Sequence, residues 1–219
     1  MSRVLAASSH VLVMAKSPVP GRVKTRLCPP CTPAEAAEIA EAALADTLDA
    51  VAASGAGRRI VALEGAPGPW LPPGFEVIPQ VGGSFDRRLA AAWTTAGGAG
   101  VQIGMDTPQV TPALLDGALA SLDDDPAALG LAIDGGWWAI ALRRPEPEVF
   151  LGIPMSTAGT GAAQHARLRR LGLSVQMLAV LVDLDTAADL PAVTGSGTAI
   201  RTAEQARRMG MLPTPAATR

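Results

Sequence analysis

Tyrosine is absent from this 219-residue chain, and histidine and cysteine occur twice each. Charge of either sign is also scarce in net terms: 18 basic against 20 acidic residues leave −2. Each scarcity excludes something. Two cysteines cannot build a disulfide framework. Without a basic surplus, a dominant nucleic-acid footprint is not expected, although a local basic cluster can still hold a small anion. No apolar run approaches the roughly 18 residues of a membrane span. The longest late run, Met177 to Val182, has the size of a strand. Near the N-terminus Ser8, Ser9 and His10 interrupt the apolar residues and Lys16 follows, so this segment reads as the approach to a first strand and not as a signal peptide. The hydrolase elbow G-x-S-x-G and the Walker A spacing are both missing. The expectation is a cytoplasmic protein.

What is present is apolar material. Hydrophobic residues make up 48% of the chain and its mean hydropathy is +0.26, enough for a core and too much for global disorder. The length predicts one domain over residues 1–210, with a frayed tail at 211–219.

His10 to Ala15 is a short apolar run closed by Lys16-Ser17-Pro18, the pattern of a buried strand. A proline-rich loop follows to Cys31. Thr32, Pro33 and Glu35 then give a helix start, and Gly55 a stop. Strands are predicted at 59–63, 76–80, 101–105, 129–133, 137–142 and 173–182. Helices are predicted at 85–96, from Thr111-Pro112 to about Leu122, at 157–171 and at 199–209. This alternation specifies an α/β fold with a mainly parallel sheet. In open sheets of that class ligands sit beyond the carboxyl ends of the strands.

Four segments at such ends carry chemistry. Lys16, Arg22, Lys24 and Arg26 place four cations in eleven residues, with Gly21 permitting close backbone approach and Thr25 adding a hydroxyl. Ammonium and guanidinium groups suit phosphate oxygens; a solvated basic loop is the plainer alternative. Asp106, in Gly104-Met-Asp-Thr-Pro108, is a carboxylate at a strand end that suits Mg²⁺ or Mn²⁺, or else a helix cap. Asp183 and Asp185, two apart in an expected strand, share a face, so either can complete a metal site with Asp106; acids at a helix N-terminus are the alternative. Asp189 reads as a cap. Asp134-Gly135-Gly136 forms a tight turn before Trp137 and Trp138. Its carboxylate suits a sugar hydroxyl, a metal-bound water or an acceptor, although for the motif in isolation an ordinary hairpin turn is the readier explanation. Cys28-Pro-Pro-Cys31 reads as a surface turn, since neither His10 nor His165 has ligand spacing to it.

Taken together these segments resemble one family, a bacterial glycosyltransferase-like group of the DUF2064 type. It is similar to the enzyme that guanylylates phospholactate and lies within the nucleotide-diphospho-sugar transferase (GT-A) superfamily. The resemblance runs from about residue 10 to about 190. It rests on K-x-P-x-P-G-x-x-K-T-R-L at Lys16 to Leu27, G-x-D-x-P at Gly104 to Pro108, D-G-G plus aromatics at Asp134 to Trp138, Ser156-Thr157, and D-x-D-T-x-x-D-L at Asp183 to Leu190.

The resemblance implies a single-domain three-layer GT-A fold that binds a nucleotide and a divalent metal, Mg or Mn. Asp106 and Asp185 would be the metal ligands. Lys16, Gly21, Arg22, Lys24, Thr25 and Arg26 would meet the phosphates. Lys24 and Asp134 would be the catalytic pair. Gly135, Gly136, Trp137, Ser156 and Thr157 would form the acceptor pocket. The partners implied are a nucleotide or nucleotide-sugar and a small acceptor. Two reactions fit: glycosyl transfer from a nucleotide-sugar, or nucleotidyl transfer from a nucleoside triphosphate to a phosphorylated metabolite with release of pyrophosphate. A non-catalytic nucleotide-binding protein is the third reading. The chain departs from the family pattern at Ser84 and Asp86 within Gln80 to Arg88, at Leu131, at Met155, and at Trp137-Trp138 where tyrosine is usual; most of these lie on the acceptor side.

Overall fold

The computed structural model describes residues 9–214; the expected approach to the first strand lies outside them apart from Ser9, and so does the tail beyond Thr214. The first half of the chain runs β1 (His10–Lys16), α1 (Pro33–Ala53), β2 (Arg58–Glu64), β3 (Glu76–Pro79), α2 (Phe85–Ala96), β4 (Gly100–Gly104) and α3 (Pro112–Ala120). The second half runs β5 (Ala127–Leu131), β6 (Trp137–Leu142), α4 (Thr160–Arg170), β7 (Val175–Met177), α5 (Leu190–Thr194) and α6 (Ile200–Arg208).

The seven strands form one sheet in the order β3-β2-β1-β4-β6-β5-β7. β3, β2, β1 and β4 run parallel. β6 is antiparallel to both its neighbours, and β7 is parallel to β5. The expected mainly parallel α/β architecture is therefore the one found. From β1 the chain builds outward to β2 and β3, then returns to place β4 on the other side. That reversal opens a crevice between the carboxyl ends of β1 and β4.

Alternation along β1 divides the core. Val11, Val13 and Ala15 face α1 and α3, while Leu12 and Met14 face α2 and Phe150. Helix α1 is buried on two sides. Ala37, Ala40, Leu44 and Leu48 pack on the sheet, and Ala36, Ile39 and Ala43 join a third cluster with Leu27, Leu184, Leu190, Val193 and Ala206. Its start follows the sequence signal. The Glu35 amide donates to Thr32 Oγ1 (3.3 Å), and the Thr32 amide to Glu35 Oε2 (2.7 Å). Such a cap contributes about 1 kcal/mol.

The predicted strand at 173–182 is corrected. Only Val175–Met177 forms a continuous strand; beyond it the pairing breaks into single bonds, from the Leu178 and Leu181 amides to the Leu129 and Leu131 carbonyls and from the Ile133 amide to the Leu181 carbonyl, and side chains take the carbonyls between them. Trp138 Nε1 donates to the Ala179 carbonyl (2.9 Å) and Gln109 Nε2 to that of Val182 (2.6 Å). Helix α4 begins at Thr160, not 157, since residues 157–159 form a turn in which the Thr160 amide donates to the Thr157 carbonyl. Strand β5 lies two residues earlier than expected. Among the described residues no helix is long and apolar enough to cross a membrane.

Candidate active site

The loop after β1 is fastened before it reaches its cations. The Ser17 amide donates to the Glu64 carbonyl (2.9 Å) and Ser17 Oγ to the Ala66 carbonyl (2.5 Å). The loop turns at Gly21, φ +74°, and again at Lys24, whose φ of +47° is unusual for a residue with a Cβ. Leu27 then anchors it in the third core cluster. Lys24 is held by its side chain. Its ammonium lies 2.5 Å from Asp106 Oδ1, donates to the Leu184 carbonyl, and leaves the side chain only 6% exposed.

Asp106 follows β4 directly. It does not cap the next helix, because Thr111 does so by accepting from the Leu114 amide (3.2 Å). The Asp106 carbonyl accepts from the Leu184 amide (2.7 Å), which fixes the late acidic segment beside it. That segment is not a strand, so the expected alternation of Asp183 and Asp185 does not apply. Asp185 lies at the surface, 3.0 Å from Arg26 Nη1. Asp183 lies deeper. Burial pushes its carboxyl up to about 7, assisted by the negative charge of Asp106 and Asp134 and opposed by Lys24. Asp189 caps, as expected, by accepting from the Thr186 amide (2.7 Å).

Two hollows meet at this point, sharing Met14, Arg26, Phe85, Gly104, Asp106 and Asp185 as walls. The smaller, about 290 Å³, is basic: Lys16, Arg22, Lys24, Arg26 and Arg88 line it against Asp106 and Asp185. Arg88 and Gln80 are not singled out by the sequence. Gln80 spends its amide nitrogen on the Ala15 and Ala62 carbonyls (2.8 Å each) and accepts from Arg88 (3.0 Å). Arg88 also meets Glu64 at 2.7 Å, and Lys16 reaches the same carboxylate at 3.3 Å. Gln80 therefore braces Arg88 across the segment in which Ser84 and Asp86 depart from the family pattern. Asp86, in the same departure, ties α2 to the Gly152 amide (2.8 Å).

The larger hollow, about 510 Å³, is acidic: Asp106, Asp134, Asp183 and Asp185 against Arg26 alone. Trp137, half-buried, lines it with Ser156, Thr157 and Gly136. Ser156 has φ +58°, a strained value for serine. Asp134 Oδ1 accepts from the Gly136 amide (2.8 Å), so the carboxylate both shapes its turn and faces the cavity. Gly135 lines neither hollow. It is a close-approach residue: φ is +89°, and a Cβ would come 2.1 Å from the Ala158 carbonyl oxygen. Gly21 likewise lines neither hollow. The structure thus gathers Lys16, Arg22, Lys24, Thr25, Arg26, Asp106 and Asp185 around the basic hollow, and Asp106, Asp134, Trp137, Ser156 and Thr157 around the acidic one. Asp183 joins the second. Its spacing names it without choosing it over Asp185.

Among the described residues no three His, Cys, Asp or Glu side chains form a ready metal cage. A hard divalent cation needs only one or two carboxylates when substrate phosphates complete its shell. The donor set fits that case, because Asp106, Asp183 and Asp185 line the hollow together, and burial first, then the charge of Asp106, holds the Asp183 carboxyl up. Cys28 and Cys31 are free thiols outside both hollows, and Cys31 Sγ lies 3.4 Å from Met211 Sδ.

The comparisons with known proteins agree with this architecture. Residues 37–157 match the family described as an uncharacterized protein conserved in bacteria, DUF2064, and the chain belongs to that family. The match excludes the basic loop and the late acidic segment. No curated protein matches. A protein from Desulfovibrio desulfuricans G20, assigned as a nucleotide-diphospho-sugar transferase, is 25% identical with a TM-score of 0.79, over 92% of this chain and 96% of its own. Rv0371c from Mycobacterium tuberculosis H37Rv shares the fold at 22% identity and a TM-score of 0.52, over 86% and 97% of the two chains. CMP:2-keto-3-deoxy-manno-octonic acid synthetase, solved with CTP, shares it at 14% and 0.52, over 90% and 99%.

Proposed function

We propose that this chain is a metal-dependent transferase acting on a nucleotide-diphospho-sugar, moving the glycosyl group to a hydroxyl acceptor. The observation that carries the reading is the seam between the two hollows. Carboxylates suited to a divalent cation stand between a basic chamber and an acidic, aromatic one. The basic chamber holds five cations and two carboxylates, a balance suited to a diphosphate. Asp106, with Asp183 or Asp185, would hold the metal, which supplies charge stabilisation to the departing diphosphate. Lys24 and Arg26, already paired with Asp106 and Asp185, would turn to phosphate oxygens. In the acidic chamber the acceptor oxygen forms a bond to the anomeric carbon as the bond from that carbon to the phosphate oxygen breaks. Asp134 takes the hydroxyl proton, and the nucleoside diphosphate leaves.

Nucleotidyl transfer is the second reading. The four cations of the loop after β1, more than a diphosphate needs, favour it. Three of them are engaged within the protein, however: Lys16 with Glu64, Lys24 with Asp106 and Arg26 with Asp185. A thermal-shift panel of nucleoside di- and triphosphates and nucleotide-sugars, with and without Mg²⁺ or Mn²⁺, separates the readings, since ligands of the native state raise its stability by mass action. A metal-dependent shift with one nucleotide-sugar, followed by nucleoside diphosphate release, is expected. Pyrophosphate release from a triphosphate would replace the proposal with the second reading.

A further inference from the structure

The acidic hollow says what kind of acceptor it takes. We infer that the acceptor is a hydroxyl compound without acidic groups, such as a sugar, amino sugar or polyol, and not a phosphorylated or carboxylated metabolite. The inference rests on the transferase reading above and adds the chemistry of its second substrate.

Charge is the first ground. Four carboxylates and one guanidinium line the cavity; Asp106 is paired with Lys24, and Asp185 with that guanidinium, Arg26, which is shared with the basic hollow, so Asp134 and Asp183 are the two without an ion-pair partner among the described residues. A divalent ion at the seam would offset two of those charges and would be spent on the donor phosphates. An acceptor phosphate would then lie among Asp134 and Asp183 with no cation of its own. Shape and polarity are the second ground. Leu89, Phe85, Trp137 and Met155 supply apolar lining, while Ser156 and Thr157 are polar. A lining that combines apolar and aromatic side chains with carboxylates and hydroxyls matches a ring with one C–H face and several hydroxyl donors.

The test uses the full chain labelled with 5-fluorotryptophan, whose four indoles give separate fluorine resonances. Trp137→Phe assigns the resonance of Trp137, one of the two tryptophans that line the cavity. Glucose, glucosamine and inositol are titrated beside their monophosphates. Each series is run on the protein alone and with Mg²⁺ and the nucleoside diphosphate that stabilises it most. The expected result is that the non-acidic compounds move the Trp137 resonance with at least roughly fivefold higher affinity than their monophosphates, the order of magnitude of one carboxylate–phosphate repulsion at about 5 Å in a largely aqueous site. Asp134→Asn, which keeps the oxygen that accepts from Gly136, should narrow that gap. A smaller gap, a reversed order, or no response from either series overturns the inference. If the neutral compounds respond while no nucleotide stabilises the protein, the transferase reading fails and the cavity assignment stands.

Discussion

Acidification should act on this protein through two buried groups of opposite sense. His10, at the amino end of β1 and far along the strand from the site, is 1% exposed, with its ring edge-on to Trp93 at 5.2 Å. Burial, with Arg58 nearby, pushes its pKa down to about 4 from 6.5. The folded state therefore resists a proton that the unfolded chain accepts. Stability is fully present above 6.5 and is lost as pH falls toward 4. Between pH 7.5 and 5 the loss is about 2 kcal/mol, taking about 1.4 kcal/mol for each tenfold weakening of proton binding and allowing for partial protonation at pH 5. Asp183, pushed up to about 7, works the other way: its burial is unfavourable above 7 and is relieved on acidification. Its gain over the same interval is of similar size, about 2–3 kcal/mol. The parent should consequently be nearly flat in this window as far as these two groups decide. His10→Phe keeps a ring beside Trp93, removes the unpartnered Nε2, and should gain about 2 kcal/mol on going from about pH 7.5 to 5 relative to the parent. Urea unfolding at both pH values measures it. Equal pH slopes in parent and variant would show that His10 does not resist protonation and would refute the argument.

Four further outcomes follow from the site. Gly104 lines both hollows, and a Cβ there meets only the Asp106 amide nitrogen at 3.8 Å, so Gly104→Leu should fold within about 1 kcal/mol of the parent yet lose nucleotide-induced thermal shifts. Gly135→Ala should cost about 2–4 kcal/mol in urea unfolding, because the new methyl meets the Ala158 carbonyl at 2.1 Å on a left-handed backbone. Asp106→Ala should abolish the Mn²⁺ dependence of nucleotide binding in calorimetry. Lys24→Ala and Arg26→Ala should each weaken that binding about tenfold at low salt and less at high salt.

Local signals are legible in the sequence where the chain's own neighbours decide the structure. The Thr32–Glu35 box opens α1, and Leu89 and Trp93 at four-residue spacing place α2 at residues 85–96, the bounds observed. The central strands, apolar and buried, are equally plain. The segment after Met177 is not, because its pairing with β5 is interrupted where Trp138 and Gln109 take the Ala179 and Val182 carbonyls, and no local pattern records such donors. The same cause hides Asp183. Alternation assigns faces only inside a strand, and this residue lies in a loop whose depth is set by the Leu184 amide on the Asp106 carbonyl. Arg88 escapes sequence reasoning because its place in the basic hollow depends on Gln80 and Glu64, which lie outside its own helix.

The third core cluster explains how segments so far apart in sequence come to one place. Leu27 and Leu184 are both fully buried in it, with Ile39 of α1 and Leu190 and Val193 of α5. Each is worth about 1.5–3 kcal/mol as a buried side chain. Leu27 closes the loop that carries Lys24 and Arg26, and Leu184 stands between Asp183 and Asp185. Short covalent arms from two anchored leucines thus set the separation of cations and carboxylates, and the pairs Lys24–Asp106 and Arg26–Asp185 follow from that spacing. The closing helices α5 and α6, which touch neither hollow, accordingly belong to the site's construction: by covering the outer face of α1 they hold the basic loop and the late acidic segment in register across the crevice.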